Sequence, residues 1–135
     1  MIVADTNLIA YLLIPGEKTA WAERVYARDA HWQLPRLWRS ELRSVLMSYV
    51  RNRMITLDKA TQIMVFAERR FGMGVDIASA DVLALAAESG CSAYDCEFLA
   101  LAKRHQTLLV TSDKKVLRAF PELAVSPEHF ISMAE

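Results

Sequence analysis

Apolar residues recur along this chain in two ways, as compact runs and as stripes spaced three or four residues apart. Ile2-Val3-Ala4 and Leu108-Leu109-Val110-Thr111 are compact runs, as expected of strands buried on both faces. His31 to Leu34 is a weaker run closed by Pro35, and Val75-Asp76-Ile77 is weaker still. Residues around Val125 add a candidate edge strand. Helical spacing fills the intervals. Leu8 to Leu13 is apolar until Pro15-Gly16 breaks it, and Glu17 to Asp29 carries Ala20, Trp21, Val25 and Tyr26 between charges. Leu57 to Phe71 is amphipathic, with Asp58 near its positive end. Ala80 to Glu88 stops at Gly90, a suitable cap. A further helix runs from Tyr94-Asp95 to about His105, and a short one from Asp113 to Phe120 before Pro121.

The best-patterned helix spans Arg36 to Val50. At 100° per residue, Trp38, Leu42, Val45, Leu46 and Tyr49 form one stripe. Glu41 falls at the edge of that stripe, on the side of Ser44 and Ser48. A glutamate there reaches a cleft while its helix stays packed. Strands alternating with helices predict an α/β domain around a mostly parallel sheet. The middle of the chain, from residue 36 to 90, has little strand signal and is expected to form a helical arm within the one domain.

Composition narrows the function. The 135 residues are 53% hydrophobic and 24% charged, enough apolar material for one core spanning residues 1–135 and too little charge for disorder. The net charge of zero removes any whole-molecule argument for nucleic-acid binding. No apolar run reaches membrane-spanning length, and the start lacks a signal-peptide pattern, so a cytoplasmic protein is expected. Cys91 and Cys96 fit neither a redox nor a zinc spacing and are expected as small buried hydrophobes. His31, His105 and His129 form no ligand pair. No phosphate-binding glycine loop or nucleophile elbow is present.

What remains is a set of acids. Asp5 ends the first apolar run, Asp113 follows the run ending at Ser112, Asp95 opens a helix, and Glu41 borders a core stripe. Residues just beyond the carboxyl ends of parallel strands gather along one crevice. Ionised carboxylates about 5 Å apart repel by roughly 3 kcal/mol per pair at an effective dielectric near 20. A hard divalent cation, Mg2+ or Mn2+, relieves that repulsion at an all-oxygen site. Each aspartate alone has an ordinary explanation as a helix cap; the set is harder to explain so. Thr6, Asn7, Thr111 and Ser112 flank the acids as candidate supports, with local capping as their alternative. Glu97, two residues past Asp95, is expected in solvent, and Asp76 and Asp81 in loops or caps. Five arginines face one glutamate between Arg36 and Arg53. Arg36, Arg39 and Arg43 are therefore candidates to contact phosphate or an acidic partner, against a plainly solvated face.

In order and spacing, Ile2-Val3-Ala4-Asp5-Thr6-Asn7, Leu34-Pro35 through Glu41, Ser92-Ala93-Tyr94-Asp95 through Ala102, and Leu108 through Asp113 resemble the PIN-domain ribonucleases of the VapC toxin type. The resemblance implies a PIN-like three-layer fold, a central and mostly parallel sheet flanked by helices. It also implies Mg2+- or Mn2+-dependent cleavage of RNA by Asp5, Glu41, Asp95 and Asp113, which match the family's acidic positions. Thr6 and Asn7 match the polar pair after the first acid, and Thr111 the threonine before the last. Lys114, Lys115, Val116 and Leu117 stand where some relatives carry a further acid. A small antitoxin and a second copy of the chain are the implied partners. The alternative from another class is a PIN-fold interaction module without nuclease activity. An aspartyl-nucleophile phosphohydrolase is weaker, since Asn7 stands where it would want a second Asp.

Overall fold

The computed structural model describes residues 1–133. Strands β1 (Ile2–Ala4), β2 (Trp32–Gln33), β3 (Leu109–Val110) and β4 (Ala124–Val125) form one sheet in the order β2-β1-β3-β4. Every pairing is parallel: Val3 lies opposite both Gln33 and Leu109, and Leu109 opposite Ala124. The helices are α1 (Thr6–Leu13), α2 (Thr19–Arg28), α3 (Leu37–Arg51), α4 (Leu57–Phe71), α5 (Ser79–Ser89), α6 (Ala93–Arg104), α7 (Lys114–Ala119) and α8 (Pro127–Ser132). From β1 the chain builds first to β2 on one side and later to β3 on the other. A topological switch point therefore lies between β1 and β3, and the crevice outside their carboxyl ends is where an open parallel sheet takes ligands.

The expected strands are present but short. Val75 makes only a single parallel bridge with Pro35, through Val75 N–H to the Leu34 carbonyl (2.9 Å) and Arg36 N–H to the Val75 carbonyl (3.2 Å). The glycine before it explains why the chain comes so near. A Cβ on Gly74, whose φ is +90°, would stand 2.6 Å from the Arg36 Cα, closer than any packing allows. Helix α8 has no counterpart among the expected elements. Its signal was a cap pair, Ser126 accepting from His129 N–H and Pro127 in the first turn.

Helix α6 lies against β1 and β3 and carries α5; α1 packs on α2 and α3, and α4 on α3. The stripe expected on α3 is the buried one: Trp38, Leu42 and Leu46 are in the core, each burial contributing about 2 kcal/mol. Trp32 of β2 stacks on Phe71 of α4 at 5.5 Å between centroids, and Trp38 meets the same ring edge-on at 6.2 Å. These rings seat the α3–α4 hairpin on the sheet and so fix Glu41 relative to β1. Cys91 and Cys96 are free and buried, as the apolar reading expected.

Candidate active site

Asp5 leaves β1 at its carboxyl end and caps α1. One carboxylate oxygen accepts from Asn7 N–H (3.2 Å) and the other from the Thr111 hydroxyl (2.7 Å). Thr111 is itself fixed, since its N–H donates to the Val125 carbonyl and its hydroxyl accepts from Asp113 N–H at 3.1 Å. Asp113 caps α7, one oxygen accepting from Val116 N–H (3.0 Å). On α3, Glu41 receives the Thr6 hydroxyl on Oε1 at 2.8 Å. Thr6 and Thr111 are buried polar residues, and each is satisfied by donating to an acid. Asp95 sits in the first turn of α6, but it does not open that helix: Ser92 is the cap and accepts from Asp95 N–H at 3.0 Å. The capping explanation therefore holds for Asp5 and Asp113 and fails for Asp95, whose side chain is left for the cleft.

Asp5, Thr6, Asn7, Glu41, Ser44, Val45, Ser48, Asp95 and Asp113 line one cleft of about 450 Å³. All four acids of the sequence expectation meet here, at the switch point. No lysine or arginine is among the lining residues. The electrostatics follow. Burial pushes the Asp5 carboxyl up, against the hydrogen bonds from Thr111 and Asn7, and the charges of Asp95 and Asp113 push it further. Glu41 is raised by burial, against the Thr6 hydroxyl, and by the charges of Asp5, Asp95 and Glu97. Asp95 is raised by burial, held down by Ser92, raised by Asp113 and lowered by Lys115. Lys115 is otherwise bonded to the Gly90 carbonyl (3.0 Å). No three His, Cys, Asp or Glu side chains among the described residues are gathered so as to enclose an ion, in keeping with carboxylates that repel one another. The donor chemistry nevertheless fits a hard divalent cation: carboxylate oxygens with no basic side chain among the lining residues, each with lone pairs beyond those its hydrogen bonds use.

Other expected residues stand elsewhere. Ser112 does not line the cleft. Arg39 pairs with Glu68 of α4 at 2.7 Å, Arg43 approaches the same oxygen at 3.9 Å, and Arg36 pairs with Asp76 at 2.8 Å in solvent. None of the three lines the acidic cleft. Glu97 corrects the expectation of full exposure. It is half-buried, and burial raises its carboxyl. The signal was available in its neighbours: Cys96 and Phe98 through Ala102 are all buried, so α6 meets protein on most sides.

Fold and site place the chain with a known group, the description "PIN domain" matching residues 2–123. The chain belongs to the PIN domain family. It is similar to "Ribonuclease VapC3" of Pyrobaculum aerophilum, 26% identical over 127 residues, which cover 90% of this chain and 96% of that one. Among solved structures it resembles "Crystal Structure of FitAcB from Neisseria gonorrhoeae", with a TM-score of 0.67 and 22% identity over 96% of this chain and 99% of that one. The parallel sheet flanked by helices is the fold that the motifs implied.

Proposed function

We propose that this chain is a divalent-metal-dependent endoribonuclease of the VapC type, the toxin of a toxin–antitoxin pair. The observation that carries the reading is the convergence of Asp5, Glu41, Asp95 and Asp113 on one cleft without a basic residue in its lining. RNA is a polyanion, and such a cleft repels its phosphates unless a cation stands between them. Membership of the PIN domain family and similarity to a protein named as a ribonuclease support the same reading.

Asp5, Asp95 and Asp113 would hold the cation directly, with Glu41 contributing the oxygen that Thr6 leaves free. When bound, Mg2+ or Mn2+ supplies charge neutralisation and polarises the phosphate and the attacking water. The protein's part is to fix the acids before substrate arrives. Thr111 ties the β1 acid to the β3–α7 turn, and Thr6 ties α1 to α3. The small Ser44 and Ser48 leave room along α3 for the RNA strand. The proposal includes a cytoplasmic location and two partners, a small antitoxin and a second copy of the chain, on the strength of the motif resemblance. No helix among the described residues is long and apolar enough to cross a membrane.

The test is cleavage of single-stranded RNA by purified protein in Mg2+, in Mn2+ and in a chelator. Cleavage with metal and none with chelator is expected. Intact RNA under all three conditions sinks the nuclease reading and leaves the interaction module.

A further inference from the structure

A second cleft, of about 370 Å³, is lined by Arg36, Asp76, Ser79 and Glu97 and by the apolar Val75, Ile77, Val82 and Leu83. Its place in the sheet relates it to the acidic cleft. Arg36 follows β2 at its carboxyl end as Asp5 follows β1, and these strands are hydrogen-bonded neighbours, about 4.8 Å apart. On α6, Glu97 is turned about 200° from Asp95, yet its charge reaches Glu41 of the acidic cleft. The two clefts are therefore adjacent stations along one edge of the sheet.

The lining has an unusual composition for a surface groove. Glu97 is half-buried and has no hydrogen-bond or ion-pair partner among the described residues, an acceptor held against apolar walls. Arg36 supplies a guanidinium whose one ion pair among the described residues, with Asp76, is exposed on both sides; such a solvent-exposed pair is weak and gives way easily. Gly74 presses the Val75 strand against the Arg36 backbone, so the donor side of the cleft is anchored. A planar ligand with paired N–H groups on one edge and acceptors on another would satisfy both ends.

We propose that this cleft is a base subsite for guanine in the RNA substrate, an inference that rests on the ribonuclease reading above. The Glu97 carboxylate accepts from N1–H and the N2 amino group, and Arg36 donates to O6 and N7. Guanine alone among the RNA bases presents two adjacent donors on its Watson–Crick edge, the edge that single-stranded RNA leaves open to proteins. Arginine bidentate to O6 and N7 is the commonest base-specific contact. Val75, Ile77, Val82 and Leu83 cover the faces of the ring.

The experiment separates base recognition from cleavage. Asp5→Asn protein is titrated with two single-stranded hexaribonucleotides that differ only in one guanine against one adenine. We expect tighter binding of the guanine strand by about tenfold, the discrimination of one good bidentate contact. Glu97→Gln keeps the side chain's shape and is expected to bring the ratio near one. Arg36→Ala, at an exposed position, is expected to lower it as well. Equal affinities for the two strands in Asp5→Asn protein, or an unchanged ratio in both variants, overturn the subsite. Mapping of cut sites by the unmodified protein distinguishes the two readings. Cleavage without guanine near the cuts leaves the ribonuclease and removes the subsite. Guanine-selective binding with no cleavage in any metal leaves the subsite and removes the ribonuclease.

Discussion

At the scale of single residues, the cleft's acids are held by hydroxyls. Asp5→Asn keeps the cap on α1, and Thr111 can rotate its hydroxyl to accept from the new amide, so the fold is expected to survive. Asp95→Asn loses no capping bond, since Ser92 provides the cap. Both variants should lose more than about 100-fold in cleavage, beyond the 10–100-fold typical of residues that only support a metal ligand. Their thermal midpoints in chelator should match or exceed that of the unmodified protein, because one repelling charge is gone. RNA cleavage within tenfold of normal by either would remove the site. Thr111→Val tests the support itself. It should weaken Mn2+ binding, read by the metal's own paramagnetic signal, by about 10–100-fold, whereas Thr111→Ser restores it; equal affinities in both would reduce Thr111 to packing. Asp5 and Asp113 were legible as residues following strands and Glu41 as one bordering a stripe, whereas Asp95 was read as opening a helix that Ser92 in fact caps. The roles of Thr6 and Thr111 were not separable from capping, because a hydroxyl's partner 35 or 106 residues away leaves no local pattern.

Among the elements, helices were more legible than strands. Helix α4 spans Leu57–Phe71 as its apolar period expected, between the Thr56 cap and Gly72. Strands of two residues, such as β2 and β4, give too few positions for any period to register, and the sheet's parallel pairing supplies their stability. The Gly74 approach is likewise invisible in sequence, since it depends on which backbone lies opposite. It allows a direct comparison. Gly90 has φ +73° with nothing within 4 Å of a built Cβ, so Gly90→Ala is expected to cost about 1–2 kcal/mol for the left-handed conformation alone. Gly74→Ala adds a clash with the Arg36 backbone and should cost more than about 2 kcal/mol, measured by urea unfolding. Equal costs at the two glycines would mean that the chain near residue 75 yields freely. Arg39 also belongs at this scale: its ion pair with Glu68 joins α3 to α4, and its alanine variant is expected to lose about 0.5–1 kcal/mol of stability.

For the whole molecule, the cleft is expected to make stability depend on pH and, on the proposed reading, on divalent metal. Asp5, Glu41 and Asp95 have folded-state values raised above their ordinary ones, burial being the first cause. The folded protein therefore binds more protons than the unfolded chain just above the ordinary carboxylate range, and stability falls as pH rises through the folded values. In chelator, the contribution of these three groups should increase as pH falls from neutral toward the ordinary carboxylate range. Asp29 acts in the opposite direction. Its value is lowered, although burial is its largest influence, by the hydrogen bond from the terminal amine and its charge, so its contribution is lost at more acid pH. Divalent metal should remove the rise on acidification by favouring the ionised cleft, and at 100 times Kd it should add about 2.7 kcal/mol. Melting curves in chelator that shift only downward on mild acidification, and that superimpose with and without Mn2+, would show that the acids do not act as one site.

The bond between Thr111 and Asp5 spans 106 positions, and β3 enters the sheet between strands made long before and just after it. During synthesis, Asp5 and Glu41 leave the ribosome while the other half of the cleft has yet to be translated. On the ribonuclease reading, the cleft cannot be complete until β3 and Asp113 have been made, so a growing chain short of them is expected to spare its own message and ribosome. Growing chains released at residue 105, before β3 exists, are expected to leave RNA intact in Mg2+ under conditions where the whole chain cuts it. Cleavage by such a fragment would mean that the first two acids and Asp95 suffice without the strand that holds Asp5 in place.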